Sequence, residues 1–221
     1  MKLGELMPQL AAALATNTTC RELNLAGCGV NDVACQQLAE ALGRNNTLCS
    51  LNLENNKVDN NGAIAIARAL AGNRGLMLLN LLNQKGSRFG DSTLTEYLTM
   101  FDTNVTLLKI IWRLESRQSF RAHRGLNRRQ RHRARRPRRA DASPTRARHV
   151  RPPRASSARI RHVAGLTKML TRNNEIDRLI QTGKDYADKL PAGVAPLSRD
   201  LIHQRAEVGM MMGTPRSQVY L

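Results

Sequence analysis

The stretch Leu48-Cys-Ser-Leu-Asn-Leu-Glu-Asn-Asn-Lys-Val58 alternates apolar and polar residues and then changes character at a pair of asparagines. Side chains alternate across a strand, so Leu51 and Leu53 point to one side and Asn52 points to the other. Asn56 comes where the chain must turn, and asparagine side chains bond readily to turn backbone. The stretch therefore predicts a short, half-buried strand that ends in an asparagine turn.

Three other segments of the chain repeat this pattern at nearly constant spacing. The four copies are 28, 28 and 31 residues apart and start at Asn17, Asn45, Asn73 and Asn104. In chain order, the turn position after each strand holds Cys28, Asn56, Gln84 and Glu115. The pattern L-x-x-L-x-L-x-x-N/C-x-L at a period of about 20–29 residues is that of a leucine-rich repeat. The last two copies lack the asparagine or cysteine, so the motif weakens toward the end of the chain.

A helical pattern follows each strand and completes the repeat. Asp32–Leu42 starts with a residue suited to capping and is predicted to bury Val33, Leu38 and Leu42 on one face. Residues 61–70 and 91–101 repeat the arrangement. No unit can bury its apolar face alone, so the stability of such a fold comes from stacking. The predicted fold class is α/β: a leucine-rich-repeat solenoid of ribonuclease-inhibitor-like strand-helix repeats of about 28 residues, with a terminal helix and disordered segments.

The organisation of the chain follows from these patterns. We expect a solenoid of about four repeats over residues 1–121, the first one partial because its helix has no strand before it. We expect a disordered Arg/Pro/Ala-rich insertion over residues 122–165, and a terminal helix over residues 166–180 that packs on the last repeat. Residues 181–221 are expected to form a mostly disordered tail with a short helix near 200–208. From the partial first repeat we infer that the chain has lost, or never had, an upstream portion, and we expect fraying or exposed apolar surface at this end.

The charge of the chain is concentrated in one segment. The formal net charge is +18, and residues 121–165 hold 16 arginines against one acid, which leaves a net of +3 for the rest. The repeats are therefore nearly neutral. Two explanations of Ala122–Gly165 stay open: a translated intron or a disordered basic insertion. In the second case Arg128–Arg139 would act as a nuclear-targeting or nucleic-acid-binding arm, without base specificity because no aromatic residue accompanies the arginines.

The sequence contains no motif typical of a catalytic or cofactor site. P-loop, G-x-G-x-x-G, G-x-S-x-G and H-E-x-x-H patterns are missing, so we expect no enzyme and no cofactor. The four cysteines lie among the first fifty residues without C-x-x-C spacing or a nearby histidine, which argues against a zinc site. The sequence has neither a signal peptide nor an apolar run long enough to span a bilayer. We expect a cytoplasmic protein with reduced thiols and no membrane partner.

The 31-residue unit and its flanks carry a resemblance to a known family. The unit runs from Leu79-Asn-Leu-Leu-Asn-Gln84 through Gly90 and a helix to Asn104-Val-Thr-Leu-Leu-Lys109, and an aromatic-bearing strand follows it. This arrangement resembles the C-terminal repeat domain of tropomodulins and leiomodins. Two departures are that Trp112-Arg-Leu114 replaces the usual aromatic-His-Phe and that no Gly-Pro precedes Arg121. Removing Ala122–Gly165 joins Arg121 to Leu166 as the family pattern requires.

The resemblance implies an actin-filament-binding module that caps pointed ends and regulates thin-filament or cortical actin length in the cytoskeleton. It also implies tropomyosin as a family partner, although nothing here matches the family's tropomyosin-binding helices. Because actin is acidic, basic residues around the last repeat and the Asn pair of the terminal helix are the expected contacts: Lys109, Arg113, Arg117, Arg121, Lys168, Arg172, Asn173, Asn174 and Arg178. The alternative is a generic leucine-rich-repeat scaffold for protein–protein interaction, of immune-receptor or GTPase-regulator type.

Overall fold

The computed structural model describes residues 3–85, 88–114 and 157–212 as a solenoid of alternating helices and strands. The helices are α1 (Leu3–Thr16), α2 (Asp32–Leu42), α3 (Asn60–Gly72), α4 (Asp91–Phe101), α5 (Ser157–Gln181) and α6 (Arg199–Met212). The strands are β1 (Glu22–Asn24), β2 (Ser50–Asn52), β3 (Leu78–Asn80) and β4 (Lys109–Ile111), and a 3₁₀ turn covers Ala187–Lys189. The strands form one parallel sheet in the order β1-β2-β3-β4. The predicted leucine-rich-repeat fold class is confirmed.

The register of the sheet places equivalent residues of each repeat side by side. The middle residues of the four strands pair in the order Leu23, Leu51, Leu79 and Ile110. Three of the four are almost completely buried, and Leu23 at the open first edge is half-buried. These residues and the inner faces of the helices form one continuous core along the solenoid. Each repeat therefore buries its apolar side against its neighbours, as stacking requires.

A row of asparagines, which we call the asparagine ladder, joins successive repeats; it consists of Asn17, Asn45, Asn73 and Asn104, of which the last three are buried. The side-chain amide of Asn73 donates to the carbonyls of Leu42 (2.8 Å) and Asn45 (2.6 Å) in the preceding repeat. Asn45 and Asn104 make the corresponding pairs of bonds one repeat earlier and one repeat later. This geometry recurs from repeat to repeat and gives hydrogen-bond donors to backbone carbonyls at the helix ends that would otherwise be buried without them.

The turn position after the strand works the same way in the second and third repeats. Asn56 donates to the carbonyls of Leu25 and Leu53 and accepts from the amide of Val30. Gln84 donates to the carbonyl of Leu53 (2.8 Å) and accepts from the amide of Val58 (3.0 Å). Gln84 departs from the sequence motif, but its longer side-chain amide makes the same kind of hydrogen bonds as Asn56. The third repeat is therefore structurally regular at this position. Glu115 lies outside the described residues.

Two details of α2 differ from the prediction. The N-cap is Asn31, whose side chain accepts from the amide of Ala34, and Asp32 is the first helical residue. Val33 was predicted to be buried with Leu38 and Leu42, but it is 60% exposed. Five residues separate Val33 from Leu38, which is about 140° around a helix of 3.6 residues per turn. Val33 therefore lies off the buried face.

The terminal helix begins earlier than the predicted boundary. We expected it to start at Leu166, whereas α5 starts at Ser157, so residues 157–165 of the predicted disordered insertion are helical. Val163 packs against the solenoid core, and a side chain at Gly165 would stand 3.1 Å from a methyl carbon of Leu98 on α4. These contacts to α4 give the additional turns of helix a surface to lie on. Residues 115–156, and with them the nature of the arginine tract, lie outside the described residues.

The residues after α5 pack on the solenoid as far as Arg205 in α6. Leu197 is buried with Val105, Ile176 and Ile180, and Tyr186 packs against the same cluster. We expected residues 181–221 to be a mostly disordered tail, and the described part, residues 181–212, differs from that expectation. The predicted short helix near 200–208 is the centre of α6. Apolar residues spaced irregularly through a Pro- and Gly-containing segment carry no helical or strand period, so the sequence pattern did not reveal this packing.

Candidate binding surface

The outward residues of the strands form the open face of the sheet. On each strand the residues on either side of the buried middle one point outward and are half-exposed or exposed. One row of this face consists of Asn24, Asn52, Asn80 and Ile111, and the other of Glu22, Ser50, Leu78 and Lys109. The face is polar and nearly uncharged over the first three repeats. Lys109 is therefore its only basic residue among the four described strands.

The terminal helix α5 docks on the last repeat by continuing the asparagine ladder. Asn173 is fully buried, and its amide donates to the carbonyls of Leu107 (3.0 Å) and Asn104 (3.3 Å). Arg172 donates to the carbonyls of Phe101 and Asn104, both at 2.9 Å. Within each repeat a single asparagine bonds to the helix-end carbonyl and the previous asparagine's carbonyl. On α5 Arg172 and Asn173 share this task, so the helix takes the place of a fifth repeat.

Several of the predicted contact residues already make hydrogen bonds that dock α5 on the last repeat. Asn174 donates to the carbonyls of Leu108 (3.0 Å) and Leu170 (2.8 Å). Burial lowers the pKa of the Arg172 guanidinium, and the nearby charge of Asp102 partly opposes this shift. Three of the predicted contact residues therefore lie against the last repeat: Arg172, Asn173 and Asn174. Their hydrogen bonds hold the helix in position.

Two of the predicted basic residues stand on the exposed side of α5. Lys168 is exposed, and no ion pair joins it to any residue in the described ranges. Arg178 is also exposed but is bonded to Glu175 through both carboxylate oxygens, at 2.7 and 3.0 Å. The hydrogen bond from Arg178, opposed by partial burial and aided by the charges of Arg178 and Lys189, lowers the pKa of Glu175. Lys168 therefore presents an uncompensated charge, whereas the charge of Arg178 is locally neutralised.

The remaining predicted residues belong to the last strand and its continuation. Lys109 begins β4 and is half-exposed, and Arg113 is exposed two residues beyond the end of β4. The bond from Asn174 to the carbonyl of Leu108 brings α5 beside the start of β4, next to Lys109. The described basic candidates of β4, its continuation and α5, namely Lys109, Arg113, Lys168 and Arg178, are together called the basic end surface below. Arg117 and Arg121 lie outside the described residues.

No group of three or more His, Cys, Asp or Glu side chains in the described ranges is placed to hold a metal ion. All four cysteines are free thiols. None of the helices, over the part of the chain that is described, is long and apolar enough to cross a membrane.

Sequence reasoning missed one set of residues around α5 and α6. Arg205 and Asp177 form a buried ion pair, and Gln204 bonds to backbone groups near the second strand. Because charged residues are seldom fully buried, a single charged residue in a polar segment is predicted to be solvent-exposed. Asp177 and Arg205 lie 28 residues apart on two segments that no period connects, so the single sequence carries no signal that points to the pair.

Comparison with known proteins agrees with the repeat geometry. Residues 4–126, more than half of the chain, match the TMOD/LMOD Leucine-rich domain. A solved structure of leiomodin-1 actin-binding site 2 is 30% identical, covers 59% of this chain and 78% of its own, and has a TM-score of 0.48. The tropomodulin C-terminal domain of Caenorhabditis elegans is 17% identical over 81% of this chain and 82% of its own, with a TM-score of 0.56. Among curated proteins no sequence matches. The match over residues 4–126 shows that the chain belongs to the tropomodulin/leiomodin leucine-rich-domain family.

Proposed function

We propose that this chain is an actin-binding module that contacts actin through the basic end surface. Membership of the tropomodulin/leiomodin family carries the proposal, since the match over residues 4–126 spans the repeats themselves. The same match favours an actin-binding module over a generic leucine-rich-repeat scaffold. The proposed role is binding, without catalysis, and the broad surface that a solenoid offers supports it.

The distribution of charge supports the choice of surface. Actin is acidic, and charges of opposite sign steer diffusing partners together and orient them. Lys168 and Arg113 are exposed, and Lys109 lies beside the helix that follows the last repeat. Arg178 is expected to contribute less because Glu175 already neutralises it. Arg117 and Arg121 stay in the proposal on sequence grounds alone.

Pointed-end capping and the control of thin-filament or cortical filament length form the finer part of the proposal. A rigid helix docked on the last repeat offers a fixed arrangement of charges, which suits recognition of one filament end. Tropomyosin enters only as the family's partner, and we expect no tropomyosin-dependent capping from residues 1–221. The corresponding location in the cell is the actin cytoskeleton.

The test combines co-sedimentation with filaments and elongation from seeds whose barbed ends are blocked, so that growth reports only pointed ends. Lys168→Glu and Arg113→Glu are each expected to weaken binding by about three- to tenfold, more strongly at low salt, because rim charges act on association. Lys57→Glu is the matched control, since Lys57 is an exposed lysine in the second repeat, away from α5. Equal losses in all three variants would mean that net charge, and not this surface, determines binding. Binding without slower pointed-end growth would leave actin binding standing and remove the capping part.

A further inference from the structure

Three residues outside the main core form a small apolar row along the sheet. Cys49, Met77 and Leu108 occupy equivalent positions in successive repeats, each just before a strand, and are 1%, 4% and 2% exposed. They form a cluster of their own, separate from the core of the solenoid. The equivalent residue in the first repeat is Arg21, which is half-exposed. The position therefore faces outward, and another element must cover it in the last three repeats.

The covering element is α6. The side-chain amide of Gln204 donates to the carbonyls of Thr47 (2.8 Å) and Asn46 (3.3 Å) and lies 3.6 Å from the sulfur of Cys49. The neighbouring Arg205 reaches the carbonyl of Thr106 in the fourth repeat (3.5 Å). Two adjacent side chains of one helix thus span the row from the second repeat to the fourth.

A buried ion pair holds α6 to α5. Nη2 of Arg205 lies 2.8 Å from Oδ1 of Asp177, and Nε donates to the same oxygen at 3.0 Å. The two side chains are 3% and 7% exposed, and Nη1 of Arg205 has no hydrogen-bond partner among the described residues. Burying two charges costs most of what their attraction returns, and an unmade bond adds to that cost. The ion pair therefore determines where α6 lies on α5 but adds little net stability to that packing. A contact of this kind can open at low cost.

The segment between α5 and α6 turns at two glycines. Gly183 and Gly193 adopt positive φ values of 66° and 77°. Its apolar contacts are with Val105 and with Ile176 and Ile180 on α5, near the last repeat, and Leu201 and Ile202 at the start of α6 pack against the same cluster. Over the apolar row itself, α6 is held by the hydrogen bonds of Gln204 and Arg205, and Asn174 of α5 bonds to the carbonyl of Leu108 at the end of the row. Local release of α6 therefore leaves the core of the solenoid intact.

From these contacts we propose that α6 is a reversible strap that closes a helix-binding groove over Cys49, Met77 and Leu108. When the strap is released, the groove offers an apolar strip edged by the carbonyls of Thr47 and Thr106. Its ligand is an amphipathic helix that carries neighbouring amide and guanidinium side chains, as α6 itself does. This proposal stands on the packing of α6 and is independent of actin binding.

Thiol labelling of the full chain tests the strap, because the labelling rate of one cysteine can be compared with that of another in the same protein. Cys49 lies under α6, whereas Cys35 is fully buried in the core of α2 and labels only when the solenoid unfolds. Labelling of each cysteine is followed separately by mass spectrometry of its peptide. Arg205→Ala is expected to raise the labelling rate of Cys49 by at least about tenfold, because one partner of a buried pair is removed, and to leave Cys35 unchanged. Arg199→Ala is the matched control, an exposed arginine on the same helix.

Each other result of the labelling overturns the strap. An unchanged rate at Cys49 in Arg205→Ala would show that the pair does not hold the cover. A parallel rise at Cys49 and Cys35 would show that opening is global. A rise in Arg199→Ala as large as that in Arg205→Ala would show that the ion pair has no special part.

A second measurement tests the groove. A fluorescent peptide of residues 196–212 is titrated with the full-length wild-type chain and with Arg205→Ala. The peptide is expected to bind Arg205→Ala about tenfold more tightly, because the weakened strap competes less well for the same groove. No binding to either protein, or equal binding to both, would contradict a helix-binding groove beneath α6.

Discussion

Substituting alanine for Asn73 tests how much the asparagine ladder holds successive repeats together. The Asn73 side chain is 1% exposed; it donates to Leu42 and Asn45 and accepts from the amides of Gly75 (3.0 Å) and Leu76 (2.8 Å). Each buried hydrogen bond contributes about 1 kcal/mol, and the backbone partners that lose it stay buried. Asn73→Ala is therefore expected to lower the free energy of unfolding by about 4 kcal/mol.

Asn17 supplies the matched comparison at the open end of the same ladder. It accepts from the amides of Thr19 (2.9 Å) and Cys20 (2.6 Å) and is half-exposed, and among the described residues no carbonyl accepts from its side-chain amide. Water can replace these two bonds, so Asn17→Ala is expected to cost about 1 kcal/mol. Urea unfolding of both variants and the wild type, followed by circular dichroism, gives the three free energies. If the two variants lie within about 1 kcal/mol of each other, the inter-repeat bonds are not what stabilises the stack.

Three more predictions concern single sites. Gly75→Ala is expected to destabilise the fold by about 2 kcal/mol in urea unfolding, because a Cβ would overlap the backbone of Asn46, whereas Gly72→Ala has open space and is expected to be neutral or slightly stabilising. Trp112→Ala is expected to cost about 3–5 kcal/mol in the same assay, since the buried ring packs within the core of the last repeat. Burial, with a smaller effect of a nearby carboxylate, raises the pKa of Cys35 from 9.0 to about 12. The thiol then stays protonated in the fold while it ionises in the unfolded chain, so stability should be unaffected below pH 9 and fall between pH 9 and 12, and Cys35→Ala should reduce that slope in a pH series of unfolding curves.

Much of the solenoid could be predicted because its determinants are local and periodic. The inward leucines alternate along each strand, and the 28-residue spacing brings equivalent residues together whatever the details of the loops. The exchange of Asn56 for Gln84 shows where pattern matching loses accuracy, since the amide function persists while the residue name changes. A search for side-chain amides at the turn would have recognised the third repeat as regular.

The contacts of α5 and α6 could not be predicted in the same way. The resemblance to the family's Asn-rich helix predicts Asn173 as a contact residue, but its side chain is buried and continues the ladder beyond Asn104. Its partners lie 66 and 69 residues earlier in the chain, so neither spacing nor periodicity connects them. The same holds for Arg205 and Asp177, which come together only when α6 crosses the sheet. One sequence shows their charges and not their burial.

The most direct test of the central claim is the binding of the full chain to actin filaments in co-sedimentation, with Lys168→Glu beside it. The claim predicts saturable binding with a Kd of about 1–10 μM, as for a moderate protein–protein contact, and a clear loss in the variant. It also predicts that Lys57→Glu binds like the wild type. No detectable binding at several tens of micromolar, or equal binding by both variants, would contradict the assignment of the basic end surface to actin.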